Sequence, residues 1–278
     1  MASLDTAPDP TDRTAASPRS ALRAVALPSE HGGWSLTAEP VLLGLLVAFS
    51  RAGLALGGAA MLAFLARTPL KVVLVDCRRR RWIARSRVAA AVLTIEVVAI
   101  VALVAVATFT AQRAFWMPVV IAAPLVALEL WFDMRSRSRR LLPEVAGTIA
   151  IAGATTVIAL AGGASTALAC GLWCVVGARS AAAIPSVRTQ IMRLRGKPDH
   201  RWMSDLAQVI AVCVVAGVWQ LGWIPGLAVL AVALVALANV AVVRMPPRPA
   251  MVVGVQQTIA GVAVVIATAV GVGMTSMR

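Results

Sequence analysis

The charged side chains of this sequence are few, and they gather in four places where their spacing could do chemistry. The segment PSEHGGW, Pro28 to Trp34, sets Glu30 next to His31, beside two glycines and an indole. Such an acid–base pair can move a proton, and the glycines let backbone approach a ligand or a neighbouring helix. The run ARTPLKVVLVDCRRRR puts Arg67 and Lys71 one helical turn apart, where two cations can hold an anionic group. The stretch ELWFDMRSRSRRLLPEVAG repeats that spacing with Glu129 and Asp133, and adds Glu144 behind Pro143. Three carboxylates in one hairpin can bind a divalent cation or pair with Arg67, Lys71 or Arg179. Ion pairing is favoured, because basic groups outnumber acids there. The fourth stretch, GARSAAAIPSVRTQIMRLRGKPDHRWMSDL, carries Arg179, Arg188, Arg193 and His200. It reads as a helix kinked at Pro185 that leads into a short interfacial amphipathic helix over a cavity.

Each group also has a plainer role. Trp34 suits an interfacial anchor, and Ser29 or Glu30 suits a helix cap. Lys71 can snorkel, whereas Arg67 lies deeper, where a charge pairs or lines a cavity. Asp76 is a partner for these cations or a solvated acid, and Glu144 complements a helix start. Cys170 and Cys174 share a helix face without a histidine nearby, which points to packing rather than metal. Glu39, beside Pro40, and Glu96 are acids inside apolar runs. Glu96 is an isolated functional group or a hydrogen bonder between helices. The Gly53/Gly57 pair signals close helix packing. His31 and His200 as haem ligands make a minor reading. There is no Walker loop, dinucleotide fingerprint, HExxH or nucleophile elbow.

The elements that must position these groups are membrane spans. Of 278 residues, 60% are hydrophobic and only 14% charged, with mean hydropathy +0.85; a soluble domain carries about 25% charge. The apolar residues form nine long runs, near 36–49, 52–75, 88–110, 115–132, 145–163, 167–184, 206–221, 223–243 and 251–274. All but Arg51, Arg113 and Arg278 of the 26 Lys and Arg fall in the tail, in alternate loops or in the ends of the spans that lead into them. That alternation predicts an all-α polytopic bundle of nine spans in the cell membrane, with the amino terminus cytoplasmic and the carboxyl terminus outside. Residues 1–27, rich in Pro, Ser, Thr and Asp and without a secretory-signal pattern, read as a disordered cytoplasmic tail, and 28–278 as the membrane domain. The net charge of +14 then answers anionic lipid headgroups rather than nucleic acid.

PSEHGGW before the first span, the Arg67–Thr68–Pro69 of the second, ELWFD with LPEVAG, the basic loop after the sixth and PPRPAMVVGVQQ before the ninth resemble the YwiC-like family. That resemblance covers nearly the whole membrane portion and implies an integral membrane protein, without a particular activity. More distantly, nine helices with polar loops after spans two and six are similar in architecture to the UbiA prenyltransferase superfamily. This similarity implies transferase chemistry on a prenyl diphosphate held by magnesium at aspartate-rich motifs. Those motifs are absent: Asp76 stands alone after span two, and Asp199 and Asp205 after span six, among arginines and lysines that can hold phosphate directly.

These readings converge on a cavity opening to the cytoplasm for an anionic amphipathic ligand, an isoprenoid, quinone-like or phosphorylated lipid. Trp34, Arg67, Lys71, Arg179, Arg188 and Arg193 would bind it, with Glu30, His31, Glu129, Asp133 and Glu144 as acid–base groups. The alternative is a transporter or a non-catalytic membrane subunit, with Glu96 on a substrate or proton route.

Overall fold

The computed structural model describes residues 31–135 and 140–276; Glu30 and the tail before it lie outside the described residues. The described elements are all helices: α1 (His31–Val47), α2 (Arg51–Arg78), α3 (Ala84–Thr110), α4 (Trp116–Met134), α5 (Leu141–Ala152), α6 (Ala154–Ala161), α7 (Thr166–Leu194), α8 (Arg201–Gln220), α9 (Gly226–Arg244) and α10 (Ala250–Ser276). With α5 and α6 taken as one interrupted span, eight helices are long and apolar enough to cross a membrane. The first, apolar over Gly33–Val47, is shorter. Each of the nine apolar runs has become a helix or, for the fifth, a helix pair.

Contacts between helix ends show that alternate loops share one end of the bundle. Arg67 and Lys71 of α2 reach Asp133 of α4. Arg188 of α7 reaches Glu144 of α5, and Arg244 of α9 reaches Asp205 of α8. At the other end the Gln112 N–H donates to the Ala161 carbonyl, and Gly162 packs on Ala48. The arginine-rich loops thus crowd onto one face.

Burial follows the same economy. The α5–α6 pair and α7 are the most enclosed helices, and α3 is the least. Phe109 on α3 is 88% exposed, as a lipid-facing side chain can be. One apolar core joins Leu43, Leu56, Ile158 and Leu172, and a second joins Val175, Val215, Val232 and Val264. Gly53 and Gly57 pack α2 against Leu45, Val41 and Ile158, so their spacing marks a real helix contact.

One break in the helical ladder is repaired by a side chain, and a second lies beside a polar cluster. The Gly153 N–H turns to the Ala150 carbonyl, leaving the Ile149 carbonyl without its usual donor; the Trp173 indole N–H supplies one at 2.8 Å. This interruption divides what the sequence presents as one span. The stretch beyond Pro185, expected as a separate interfacial helix, instead continues α7 unbroken to Leu194. Pro185 costs α7 the backbone bond to the Ala181 carbonyl, and polar side chains of α7 and α8 gather at the next residue. Gln208 Nε2 donates to the Ala182 carbonyl at 2.8 Å and to Ser186 Oγ at 2.9 Å, while Ser186 and Ser204 hydroxyls meet at 2.7 Å.

A Cβ on Gly162 would stand 2.2 Å from the Ala48 carbonyl oxygen, whereas one on Gly273 meets nothing within 4 Å. Gly162→Ala should therefore cost about 1–3 kcal/mol of packing and lower the thermal unfolding midpoint in detergent. Gly273→Ala should leave it unchanged or raised, since both sites lose the same backbone freedom.

Candidate functional site

Along α2, Leu56, Ala60, Ala63, Arg67, Lys71, Val75 and Arg78 recur every three or four residues, which sets them on one helix face. This face looks across to α4. The small side chains at its start leave a cleft of about 540 Å³, lined by Leu56, Ala60 and Ala63 of α2 and Ala123, Ala127 and Leu130 of α4. Gly153 and Ala154, at the break between α5 and α6, form its floor. Ala123 and Ala127 are exposed, so the cleft opens sideways to the lipid.

One turn beyond Ala63 the same face turns ionic. Arg67 Nη2 lies 2.7 Å from Glu129 Oε1, and Arg67 Nε lies 3.2 Å from Asp133 Oδ2. Lys71 Nζ stands 3.5 Å from Asp133 Oδ1. Asp133 is fully buried, so its charge depends on these two cations. Glu129 reaches its place because α5 carries a glycine there: a Cβ on Gly147 would fall 2.4 Å from the Glu129 carboxylate. Glu129, Asp133, Arg67 and Lys71 form one quartet, with two charges of each sign.

The start of α1 comes to the same level. Gly33 lies against Phe64, and Gly57 lies against Val41; this antiparallel register puts the His31 backbone level with Arg67. Trp34 packs edge-on against Phe64, with ring centroids 5.3 Å apart. The second glycine of PSEHGGW thus serves a neighbouring helix. Glu144 sits one turn before Gly147 and pairs with Arg188 at 3.1 Å, extending the ionic band from α2 through α4 and α5 to α7.

Two of the arginines expected to hold a ligand lie elsewhere. Arg193 bonds the Val243 and Met245 carbonyls and pairs with Asp199 at 3.3 Å, which ties α7 to the end of α9. Arg179 is buried between α1, α7 and α10. Its Nη1 meets Glu39 Oε2 at 2.9 Å, both side chains are 3% exposed, and its Nη2 bonds the Gln257 carbonyl. Gln257 Nε2 then donates to Asn239 Oδ1 at 2.8 Å, which brings in α9. Gly261 makes room for Glu39, since a Cβ there would stand 2.0 Å from Oε1. Charge spacing carries no signal for this pairing, because Glu39 and Arg179 are 140 residues apart.

Asp76 accepts from Ser86 Oγ at 2.7 Å and pairs with Arg85, closing the turn between α2 and α3. Glu96 is the one acid among the described residues that stands in no ion pair. It lies on the α3 face toward α2, in line with Ser86, Ala89 and Leu103, and its buried Oε2 has no hydrogen-bond partner among the described residues. Nor does the donor set suit magnesium. Glu129, Asp133 and Glu144 each take a cationic side chain, and no three His, Cys, Asp or Glu side chains converge among the described residues.

Arg179→Met leaves the Glu39 carboxylate buried without its cation. It should destabilise the fold by on the order of 3 kcal/mol. Adding Glu39→Gln should recover much of that loss, and melting both variants beside the wild type measures the difference. A double variant as unstable as the single one would show that the pair's charge is not what matters.

No curated protein and no solved structure matches the chain. Residues 27–160 match the family model of YwiC-like proteins. This segment runs from just before α1 to the end of α6, and so contains the cleft, the quartet and Glu144. Over that segment, a little under half of its length, the chain is similar to YwiC-like proteins.

Proposed function

We propose that this protein binds an amphipathic, lipid-like anionic ligand in the groove between α2 and α4. The observation that carries the reading is the order of side chains along that groove. An apolar cleft of about 540 Å³, open to the lipid, leads within one turn to Arg67 and Lys71 and then to the arginine-rich end. An isoprenoid or acyl chain fits the first part, and a polar head fits the second. Entry from the membrane needs no aqueous channel. Glu129, Asp133 and the His31 turn of α1 flank the place where such a head would lie.

In the same reading the arginine-rich end faces the cytoplasm, because basic loops are retained on that side. Cys77 is exposed at that end of α2. In a variant that keeps Cys77 as its only cysteine, a membrane-impermeant maleimide should label inverted vesicles and spare intact cells. The opposite pattern would reverse the orientation.

The ligand itself is tested by native mass spectrometry and lipid extraction of protein purified in mild detergent. A reproducible isoprenoid, quinone-like or phosphorylated lipid should accompany the wild type, and should be lost when Ala123→Phe fills the cleft or Arg67→Ala empties the quartet. Bulk phospholipid alone, retained equally by both variants, would remove the reading. Transport is the second reading, and it draws on Glu96, an acid within a span whose Oε2 has no described partner. It requires flux into sealed vesicles that Glu96→Gln abolishes.

A further inference from the structure

At the arginine-rich face the described acids each take a basic partner, and bases outnumber them. Asp76 takes Arg85, Glu144 takes Arg188, Asp199 takes Arg193 and Arg201, and Asp205 takes Arg244. Some of the surplus bases gather around a cavity. Where α2 and α4 end side by side, a cavity of about 330 Å³ is lined by Val75, Arg78, Arg79, Met134 and Arg135. Three arginines line it, and no acid does among the described residues.

Two of the three are held in place by uncharged partners. Arg78 Nη1 donates to the Met134 carbonyl at 3.3 Å, and the Arg135 guanidinium lies 4.2 Å over the Trp131 ring. Such contacts orient the side chains without cancelling their charge. The backbone beneath them is fixed too. The Arg81 N–H bonds the Asp76 carbonyl and the Arg80 N–H bonds the Cys77 carbonyl, a closing turn that puts its αL residue just past the helix end. Arg80 holds that place with φ of +51°, where glycine is the unstrained choice. An arginine therefore stands where the backbone favours glycine, beside a cavity already bordered by three others.

We propose that this arginine-lined cavity is a phosphate-binding site at the polar end of the α2–α4 groove. Planar guanidinium groups match phosphate oxygens with paired, charge-assisted hydrogen bonds. The apolar cleft and the cavity share one face of α2, from Leu56 to Arg78, and this inference rests on the groove reading only in placing the phosphate at that end. The phosphate belongs either to a lipid headgroup or to a free phosphate or diphosphate. A tail-less probe separates the two sources, and it also separates failure of this site from failure of the apolar cleft.

The test uses the full chain in phosphatidylcholine nanodiscs titrated with inorganic diphosphate in a calorimeter. Wild type should bind saturably, and Arg78→Gln and Arg135→Gln should each weaken binding about tenfold. Arg244→Gln removes the same charge from the same face but from a pair with Asp205, and should leave binding unchanged. Ala123→Phe should also leave it unchanged, whatever becomes of lipid retention. In the second arm, nanodiscs carry a minor fraction of phosphatidic acid, and the lipid retained on the protein is counted by native mass spectrometry. Phosphatidic acid enriched on the wild type and lost from the Arg78 and Arg135 variants, with no diphosphate binding, would assign the site to a lipid headgroup. Two results would overturn the proposal: neither ligand telling wild type from those variants, or Arg244→Gln weakening binding as much as Arg78→Gln does.

Discussion

Glu39 and Arg179 meet 2.9 Å apart in the middle of the bundle, with side chains 3% exposed, and neither could stand there alone. A single charge stripped of water in a membrane is expensive, so each group makes the other tolerable. The pair settles more than its own position. Glu39 lies on α1, inside the YwiC-like segment, and Arg179 on α7, beyond it. Arg179 also bonds the Gln257 carbonyl on α10, Gln257 bonds Asn239 on α9, and Gly261 is bare so that the carboxylate can press against α10. Four helices therefore have one relative placement that satisfies the pair. The apolar cores on either side of α7 are held by shape alone, and the polar contacts between them add direction.

The same constraint, met nearer the arginine-rich face, shapes the groove. Asp133 is fully buried and takes Arg67 and Lys71, while Glu129 takes Arg67 and rests on Gly147. These bonds hold the charged ends of α2 and α4 together. Further along, where no ion pair draws them in, alanines and glycine leave the two helices apart and the cleft opens. Charge pairing at one end and small side chains at the other thus produce the groove's shape.

What could be read from the sequence follows from which forces are local. Span positions come from runs of apolar residues, and the shared ends come from alternating basic loops; both are properties of neighbouring residues, and both agree with the helices and their contacts. The Arg67/Lys71 and Glu129/Asp133 spacings likewise marked helix faces that do meet. Three features were out of reach because their causes are distant. Arg179 pairs with an acid 140 residues away. The break at Gly153 depends on an indole from α7 that serves the Ile149 carbonyl, and a lone glycine in an apolar run does not announce it. α7 runs unbroken through Pro185 beside Gln208 and Ser204 of α8, whose side chains meet Ala182 and Ser186 at that turn. A proline read without those partners ends or redirects a helix.

The distribution of the acids also bears on where a ligand could act. Arg179, Arg188 and Arg193 are spent on holding helices: the first on Glu39 and Gln257, the second on Glu144, the third on Asp199 and the end of α9. A ligand that took any of them would have to break a contact between elements. Apart from Arg67 and Lys71, which are paired with Glu129 and Asp133, the groove makes no such demand. Its apolar part is walled by residues with no polar bond to lose, and the arginines at its end are oriented by a carbonyl and an indole that a bound phosphate need not displace. A polar head placed there adds its interactions to those of the fold, and for that reason the α2–α4 groove, rather than the deeper and more conspicuous Arg179, is where binding energy is available.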